Sequence, residues 1–394
     1  MPQKPDDMGD WRRTHYSVEV TPAIRGKQIT VYGWLASLRR QGAITFLIIH
    51  DRKGSLQVTA KTSEVSEKVE KKLRLLSLNA AVAIRGKVRA TQKAPNGAEI
   101  VPDDLKIVGV ASKKPIFELY AKKIPRIDKR LSLRAVDLRR PEAQAVFEIR
   151  AQTLTSFREF FTKEGFLEVS TPKIISSSTE GGAALFPLLY YDKEAFLTQS
   201  PQLYKEQLVM PFERVFEIGP AFRAEQSRTM SHLSEFISID AEAAYVDYMD
   251  IVNIMDEGIH HVLDQITEKC KSHLQKLNTK LDDDQKRFQR FTYDDVVNML
   301  GKARIEFDWG SDFSSTQLAE LNDELNGFYF ITDWPTSLKP FYIKPNDQNN
   351  EISESFDLMY GSTELSSGGS RMSSRKELTK RISENGLNPN SFEY

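Results

Sequence analysis

The 394-residue chain predicts an α+β protein in which a small β-barrel precedes a larger region of hairpins and amphipathic helices. Three observations carry that expectation. Between Gln28 and Val110 lie five short β-rich runs, ITVYGWLA, AITFLIIHD, SLQVTAK, AAVAIRGKV and LKIVGV, with one helical stretch, Glu64 to Leu78, after the third. Charge divides the chain: residues 1–150 hold 30 Lys and Arg against 16 Asp and Glu, and residues 151–394 hold 24 against 39. Finally, Phe236 to Glu242 alternates strictly, with Ile237, Ile239 and Ala241 on one face and Phe236, Ser238, Asp240 and Glu242 on the other. That is a strand with one wet or ligand-facing side.

Five strands with a helix after the third is the order of an OB-fold, which commonly binds oligonucleotides through one sheet face and its loops. The excess of cations in this half suits a polyanionic partner, and the acidic remainder suits metal ions and a small substrate. Residues 111–140 mix proline and basic residues with weak periodicity and are expected to be a hinge between domains 1–110 and 141–394. Pro141 suits the first turn of a helix whose apolar positions Phe147, Leu154, Phe157 and Phe161 repeat up to Gly165. GFLEVSTPKI then turns extended and stops at Pro172. Gln202 and Lys205, three apart at a helix start, can point to one side. Asp247 to Leu274 reads as a helix, Gln275 to Asp312 as a polar insertion with one helix starting near Thr292. GFYFITDWP, PFYIKP and SFDLMYGSTELSSGGSR read as three strands, and Arg375 to Asn385 as a helix.

The single cysteine, Cys270, excludes an internal disulfide and a Cys-based metal site, which fits a reducing cytoplasm. No apolar run approaches the length of a membrane span, and the polar N-terminus MPQKPDDMGDWRRTHY is unlike a signal peptide.

Chemistry concentrates between Phe212 and Glu242. The short strand from Arg214 to Gly219 and the alternating strand form a hairpin whose polar tip carries Arg223, Glu225, Arg228 and His232. A cation, an aromatic and a carboxylate on rigid strands can grip a nucleotide, the arginine pairing phosphate and the phenylalanine stacking on a base. A surface hairpin laced with weak ion pairs has the same pattern.

FRAE followed by a polar loop and HLSEF resembles the second signature motif of class II aminoacyl-tRNA synthetases, and FEIGPAFRAE with SIDAE is similar to the archaeal and eukaryotic type of aspartyl-tRNA synthetase. The helix from Pro141 and the strand after it match the first motif, which in the family builds a dimer interface. Residues 28–110 resemble the anticodon-binding domain of aspartyl-, asparaginyl- and lysyl-tRNA synthetases. The resemblance implies an antiparallel class II sheet flanked by helices, a homodimer, ATP and aspartate as substrates, Mg2+, and tRNA-Asp, with tRNA-Asn as a second acceptor.

Carried over position by position, it gives Arg223 the catalytic role on the α-phosphate. ATP would meet Arg223, Ala224, Glu225, Ser231, His232, Leu233, Phe236 and Glu364. Aspartate would meet Glu180 through its amino group, then Gln202, Leu203, Tyr204, Lys205, Arg223 and Ser367, with Arg371 on its side-chain carboxylate. Glu364 and Ser367 would hold Mg2+, Asp357 lying within the same short span of oxygen donors. In the barrel, Phe46 would stack on an anticodon base, with Gln57 and Glu99 reading bases and Arg39, Arg40 and Lys93 near phosphates. Periodicity by itself makes Phe46 a core residue, leaves Glu180, Gln202 and Lys205 as ordinary polar surface, and does not require a metal at Glu364.

Two departures stand out. The third class II motif, a glycine-rich strand and helix carrying an arginine for the triphosphate, does not occur before residue 394, so the catalytic domain is expected to be incomplete at its C-terminus. Relatives carry arginine directly before the histidine, where this chain has Ser231; losing a phosphate contact there costs roughly 3 kcal/mol of transition-state stabilisation, and Arg228 is the nearby cation that would replace it. Two other readings therefore stand beside an aspartate-tRNA ligase. One is a degenerate, noncatalytic tRNA-binding protein; the other is an asparagine-tRNA ligase, against which Lys205 argues, because a cation favours a carboxylate over an amide, and against which the SFD at Ser355 to Asp357 argues by its resemblance to the aspartyl enzymes.

Overall fold

The computed structural model describes residues 4–111, 113, 117–120, 124–176, 185–224, 233–281, 286–321 and 324–392. The chain divides into two compact units, residues 1–148 and 149–394.

In the first unit β1 (Gln28–Gln41), β2 (Ile44–His50), β3 (Ser55–Lys61), β4 (Ala81–Ala90) and β5 (Ala98–Gly109) close a barrel in the order β1-β2-β3-β5-β4, with α1 (Glu67–Leu75) after the third strand. All five expected strands and the helix are present. Alternate residues fill the barrel: Leu47, Ile49, Leu56, Val58, Ile84 and Ile100 are fully enclosed. β5 starts seven residues before the run LKIVGV, because the Pro102–Asp103–Asp104 stretch, which looks like a turn, is taken into the strand. It fits because the register shifts between Arg85 and Gly86 and because Gly86 lies against the Val101 carbonyl, where a Cβ would sit 2.1 Å away. The expected hinge holds two short helices, α2 (Ile127–Ser132) and α3 (Arg134–Asp137).

α4 (Pro141–Lys163) runs across the division between the units, and the second unit continues with β6 (Leu167–Glu168), β7 (Ile174–Ile175), β8 (Pro187–Tyr190), β9 (Lys193–Leu197) and α5 (Gln202–Phe212). β10 (Arg214–Phe222) and β11 (Glu235–Ala243) form the expected hairpin, followed by α6 (Tyr248–Lys269) and α7 (Lys271–Leu277). Next come β12 (Gln289–Thr292), α8 (Tyr293–Lys302), α9 (Ser315–Glu320), β13 (Phe328–Thr332), β14 (Ser355–Tyr360), β15 (Thr363–Gly369) and α10 (Arg375–Glu384). The sheets run β11-β10-β6, β12-β13-β14-β15 and β7-β9-β8, antiparallel except for the β10–β6 and β12–β13 pairs.

Helices cover one face of these sheets. Phe157, Phe160 and Phe161 of α4 pack with Phe216, Ile218, Ile239 and Ala241 of the hairpin, and α6 joins them through Ile254. Gly258 of α6 allows the close approach, since a Cβ there would meet the Phe160 ring at 2.9 Å. Val252, Met255 and Ile259 of α6 pack on Phe330, Phe356 and Leu358. The polar face of β11 is therefore the one turned away from α4 and α6.

Three sequence expectations change here. The helix expected from Asp247 to Leu274 is broken at Cys270 into α6 and α7. The stretch 275–312 is not merely a polar insertion: Phe288, Tyr293, Val296 and Leu300 are buried, and β12 extends a sheet. PFYIKP forms no strand, only an isolated bridge from Ile343 to Arg371, while SFDLMYGSTELSSGGSR folds into two strands about Gly361, which has φ +54°.

Candidate active site

The register of the hairpin builds the first part of the site. Phe236 faces Ala221 and Ser238 faces Gly219, so small residues lie beside the polar face of β11. Arg223 carries the ladder one step past the strand, its backbone N–H donating to the Ser234 carbonyl at 3.0 Å. Its guanidinium carbon lies 5.4 Å from the centre of the Phe236 ring, a cation resting on an aromatic face. Arg223 and Leu233 are exposed and Ala224 is partly so. Glu225, Arg228, Ser231 and His232 of the tip, and Glu180 of the glycine loop, lie outside the described residues.

Below the tip, Asp240 and Glu242 on the same face meet α5 and the residue after β15. Lys205 Nζ lies 3.3 Å from Asp240 and 3.5 Å from Glu242. Arg371 grips Glu242 side-on, Nε donating to Oε1 at 2.9 Å and Nη2 to Oε2 at 3.1 Å, and Nη2 also reaches Gln202 Oε1 at 3.3 Å. Gln202 Nε2 in turn donates to Glu206 at 2.6 Å, and Glu206 lies 3.5 Å from Arg371. Helical spacing puts Gln202, Lys205 and Glu206 on one side of α5; Leu203 and Tyr204 lie off that side and make no hydrogen bond within the cluster. Burial by itself would raise the Glu242 carboxyl, but Arg371 and Lys205 outweigh it and hold it below the usual carboxylate range. Glu206 goes the other way: burial pushes it up, and Arg371 offsets only part of that.

Glu364 and Ser367 stand three apart on β15, a spacing that would put them on opposite faces of a regular strand. The register shift between Leu358 and Met359 prevents this: Glu364 faces Met359 and Ser367 faces Asp357, with Leu365 as the extra residue, so both oxygens share one face. Both residues are exposed. Their chemistry, one carboxylate and one hydroxyl, suits a hard cation that keeps several waters or phosphate oxygens. Asp357 is not available to such a cation as the sequence suggests, because Lys339 Nζ binds both its oxygens, at 2.7 and 2.8 Å. Burial pushes the Asp357 carboxyl up to about 7 against the pull of Lys339, and Glu364 adds to the rise. Among the described residues no three His, Cys, Asp or Glu side chains converge as a metal site.

On the barrel, Phe46 pairs with Thr59 and with Arg39, and Gln57 pairs with Glu99, which also pairs with Arg89. These residues thus share the outer face, the intervening Leu47, Leu56 and Val58 pointing into the core. Phe46 is half-buried on that face, not in the core that periodicity suggests. Glu99 accepts from Gln57 Nε2 at 2.7 Å and from the Thr59 hydroxyl, and is paired with Arg89 at 2.7 Å. Burial would raise Glu99, but these bonds hold it below its ordinary value. Arg39, Arg40 and Lys93 are all exposed, and Arg40 donates to the Leu73 carbonyl at the end of α1 at 2.9 Å.

Sequence reasoning missed Glu206, Lys339 and Arg89, and left Asp240 and Glu242 as a polar face without naming them as site residues. The signals existed for three of these: the alternation of β11 carries Asp240 and Glu242, and Glu206 stands at i+4 from Gln202. Nothing in the local sequence marks Lys339 or Arg89, whose partners are distant in the chain.

Residues 126–394 match the family of class II tRNA synthetases (D, K and N), and residues 29–108 match the OB-fold nucleic acid binding domain. The chain belongs to the class II aminoacyl-tRNA synthetases. The aspartate-tRNA(Asp/Asn) ligase of Methanococcus aeolicus is 43% identical over 386 residues, covering 98% of this chain and 88% of that protein. The enzyme of the same name from Methanocaldococcus jannaschii is 41% identical with the same coverage. Among solved structures, asparaginyl-tRNA synthetase from Pyrococcus horikoshii in complex with asparaginyl-adenylate superposes with a TM-score of 0.91 at 30% identity, covering 97% of this chain and 88% of that one. Aspartyl-tRNA synthetase from Entamoeba histolytica gives 0.83 at 26% identity, covering 96% and 82%. In this synthetase the barrel is the OB-fold expected from strand order, and no helix among the described residues is long and apolar enough to cross a membrane.

Proposed function

We propose that this synthetase is an aspartate-tRNA ligase, acting on tRNA-Asp and, as its archaeal relatives' names suggest for them, on tRNA-Asn as well. The observation that carries the choice of amino acid is the convergence of Lys205 and Arg371 on one buried cluster with Gln202. Two fixed cations hold a side-chain carboxylate far better than a carboxamide, because the site's charge is already oriented.

In the reaction an α-carboxylate oxygen of aspartate attacks the α-phosphorus of ATP, the bond to the β-phosphate breaks and pyrophosphate leaves. A terminal ribose hydroxyl of tRNA then attacks the aspartyl carbonyl and AMP departs. No side chain need be a nucleophile, so this chain's work is positioning and charge neutralisation. Arg223, steadied on Phe236, holds the α-phosphate, and Phe236 presents a face for adenine. The family resemblance assigns Glu225 to the base, His232 to the outer phosphates and Glu180 to the amino group. Glu364 and Ser367 would hold Mg2+, which supplies charge neutralisation to the phosphates when bound. Phe46 stacks on an anticodon base beside Gln57 and Glu99, with 1–110 as the anticodon domain, 111–140 as the hinge and 141–394 as the catalytic domain. Leu167 and Ile174, apolar yet half-exposed beside the first motif, support a homodimer, and the lone cysteine a cytoplasmic setting.

The test is amino-acid-dependent exchange of pyrophosphate into ATP. Exchange with aspartate, at least a hundredfold weaker with asparagine and lost in Lys205→Leu, is the expected result. Exchange with neither, together with retained tRNA binding, leaves the noncatalytic reading in its place.

A further inference from the structure

We propose that Glu206, which no role in the reaction reaches directly, is a positioning residue that sets the aspartate pocket by fixing the Gln202 carboxamide and sharing Arg371 with Glu242. The inference rests on the reading of this cluster as the aspartate site.

A carboxamide has two ends that differ only in which atom is the donor, and a pocket meant for a carboxylate must present the right one. Gln202 is held at both ends: its nitrogen donates to Glu206 at 2.6 Å and its oxygen accepts from Arg371 at 3.3 Å. A flipped amide would set its oxygen against the Glu206 carboxylate and its nitrogen against a guanidinium, two repulsive contacts in place of two bonds. Glu206 therefore decides the orientation. It also lies 3.5 Å from Arg371 Nε, the nitrogen already given to Glu242 at 2.9 Å. With Nε and Nη2 occupied by Glu242 and Gln202, the remaining end of the guanidinium, Nη1, makes no hydrogen bond among the described residues and is left for a ligand. Gln202 and Lys205 on α5, Asp240 and Glu242 on β11, and Arg371 are the polar groups that face one another here. Among the described residues only Glu206 accepts from the amide and also lies beside the cation.

Equilibrium binding of L-aspartate and L-asparagine to the full chain, followed by calorimetry, tests this without requiring turnover. Glu206→Ala is expected to weaken aspartate binding about tenfold, the worth of one charge-assisted hydrogen bond, and to lower the preference for aspartate over asparagine. Glu206→Gln, which still accepts from Gln202 Nε2, restores aspartate affinity to within about threefold, and its melting temperature reports that the fold is intact. Where exchange is active, the effect falls on the aspartate KM and leaves kcat and the ATP KM within about twofold, a split that a general loss of packing does not give. Unchanged aspartate binding in Glu206→Ala, or equal losses in both variants, overturns the positioning role and leaves the ligase reading standing. A wild-type chain that binds neither amino acid overturns the site assignment and this inference with it.

Discussion

Gln57 on the barrel and Gln202 on α5 are held in the same way, the side-chain nitrogen donating to a glutamate that an arginine also contacts: Glu99 with Arg89 in one unit, Glu206 with Arg371 in the other. They differ in what is left over. Gln57 keeps its oxygen free of bonds among the described residues and stands on an outer face beside Phe46, so it can accept from a base. Gln202 is 3% exposed and its oxygen is already bound to Arg371. The surroundings differ too. Glu99 lies below its ordinary pKa and stays ionised, while burial raises Glu206 in a cluster of three carboxylates and two cations. The first arrangement leaves an acceptor open to a ligand, and the second leaves none on the glutamine.

The sharpest way to break this comparison is to remove each arginine. Arg371→Leu leaves the buried Glu242 with Lys205 as its one cation among the described residues, so a loss of about 3 kcal/mol in urea unfolding is expected, with exchange undetectable. Arg89→Leu should leave exchange unchanged, raise the tRNA KM about tenfold and cost about 1 kcal/mol, because Glu99 keeps its bonds from Gln57 and Thr59. Equal losses from both would erase the distinction between the two arrangements.

Asp357 and Lys339 supply a buried pair with no glutamine at all. Lys339→Met is expected to destabilise the chain by about 3 kcal/mol at pH 8 and much less at pH 5. The sign follows from the raised pKa: a carboxyl that titrates near 7 when folded and near 4 when unfolded keeps its proton in the native state between those values. Stability of the intact chain therefore falls as pH rises across that window; Lys339 lowers this pKa, so its removal raises the pKa further and the added loss opens above about 7. Urea midpoints at the two pH values measure the difference; a loss independent of pH would mean that Asp357 stays ionised throughout.

Smaller effects sharpen the picture. Glu99→Gln, read by tRNA charging, should raise the tRNA KM several-fold with exchange intact, since the new amide still accepts one bond but no longer neutralises Arg89. Gln199, 1% exposed, bonds through neither amide atom among the described residues; Gln199→Met is expected to stabilise the chain by about 1 kcal/mol, seen as a higher melting temperature.

Local patterns carried most of the fold. The five barrel strands, α4, the β10–β11 hairpin and α10 are each written in periodicity, a cap or a glycine within one short stretch. What was illegible depended on residues far apart: Pro102 inside β5 needed Gly86 opposite it, and β12 needed β13 beside it, nearly forty residues on in the chain. The site follows the same rule. Alternation exposes Asp240 and Glu242, and helical spacing exposes Gln202 with Lys205, but that Lys339 neutralises Asp357 or that Arg371 closes on Glu242 emerges only when β14 and the end of β15 are in place.

The extra residue in β15 has a consequence for chain length. Leu365 is half-exposed and has no partner across the ladder, so the strand holds one residue of slack between Glu364 and Ser366. Deleting Leu365 would draw that slack out and leave Thr363, Glu364, Ser366 and Ser367 opposite the same four neighbours. An added residue has no such reserve and must bow outward or force a slip that turns the rest of the strand over. Length change at this edge is thus tolerated in one direction only, and the tolerated one keeps both oxygens where a cation can reach them.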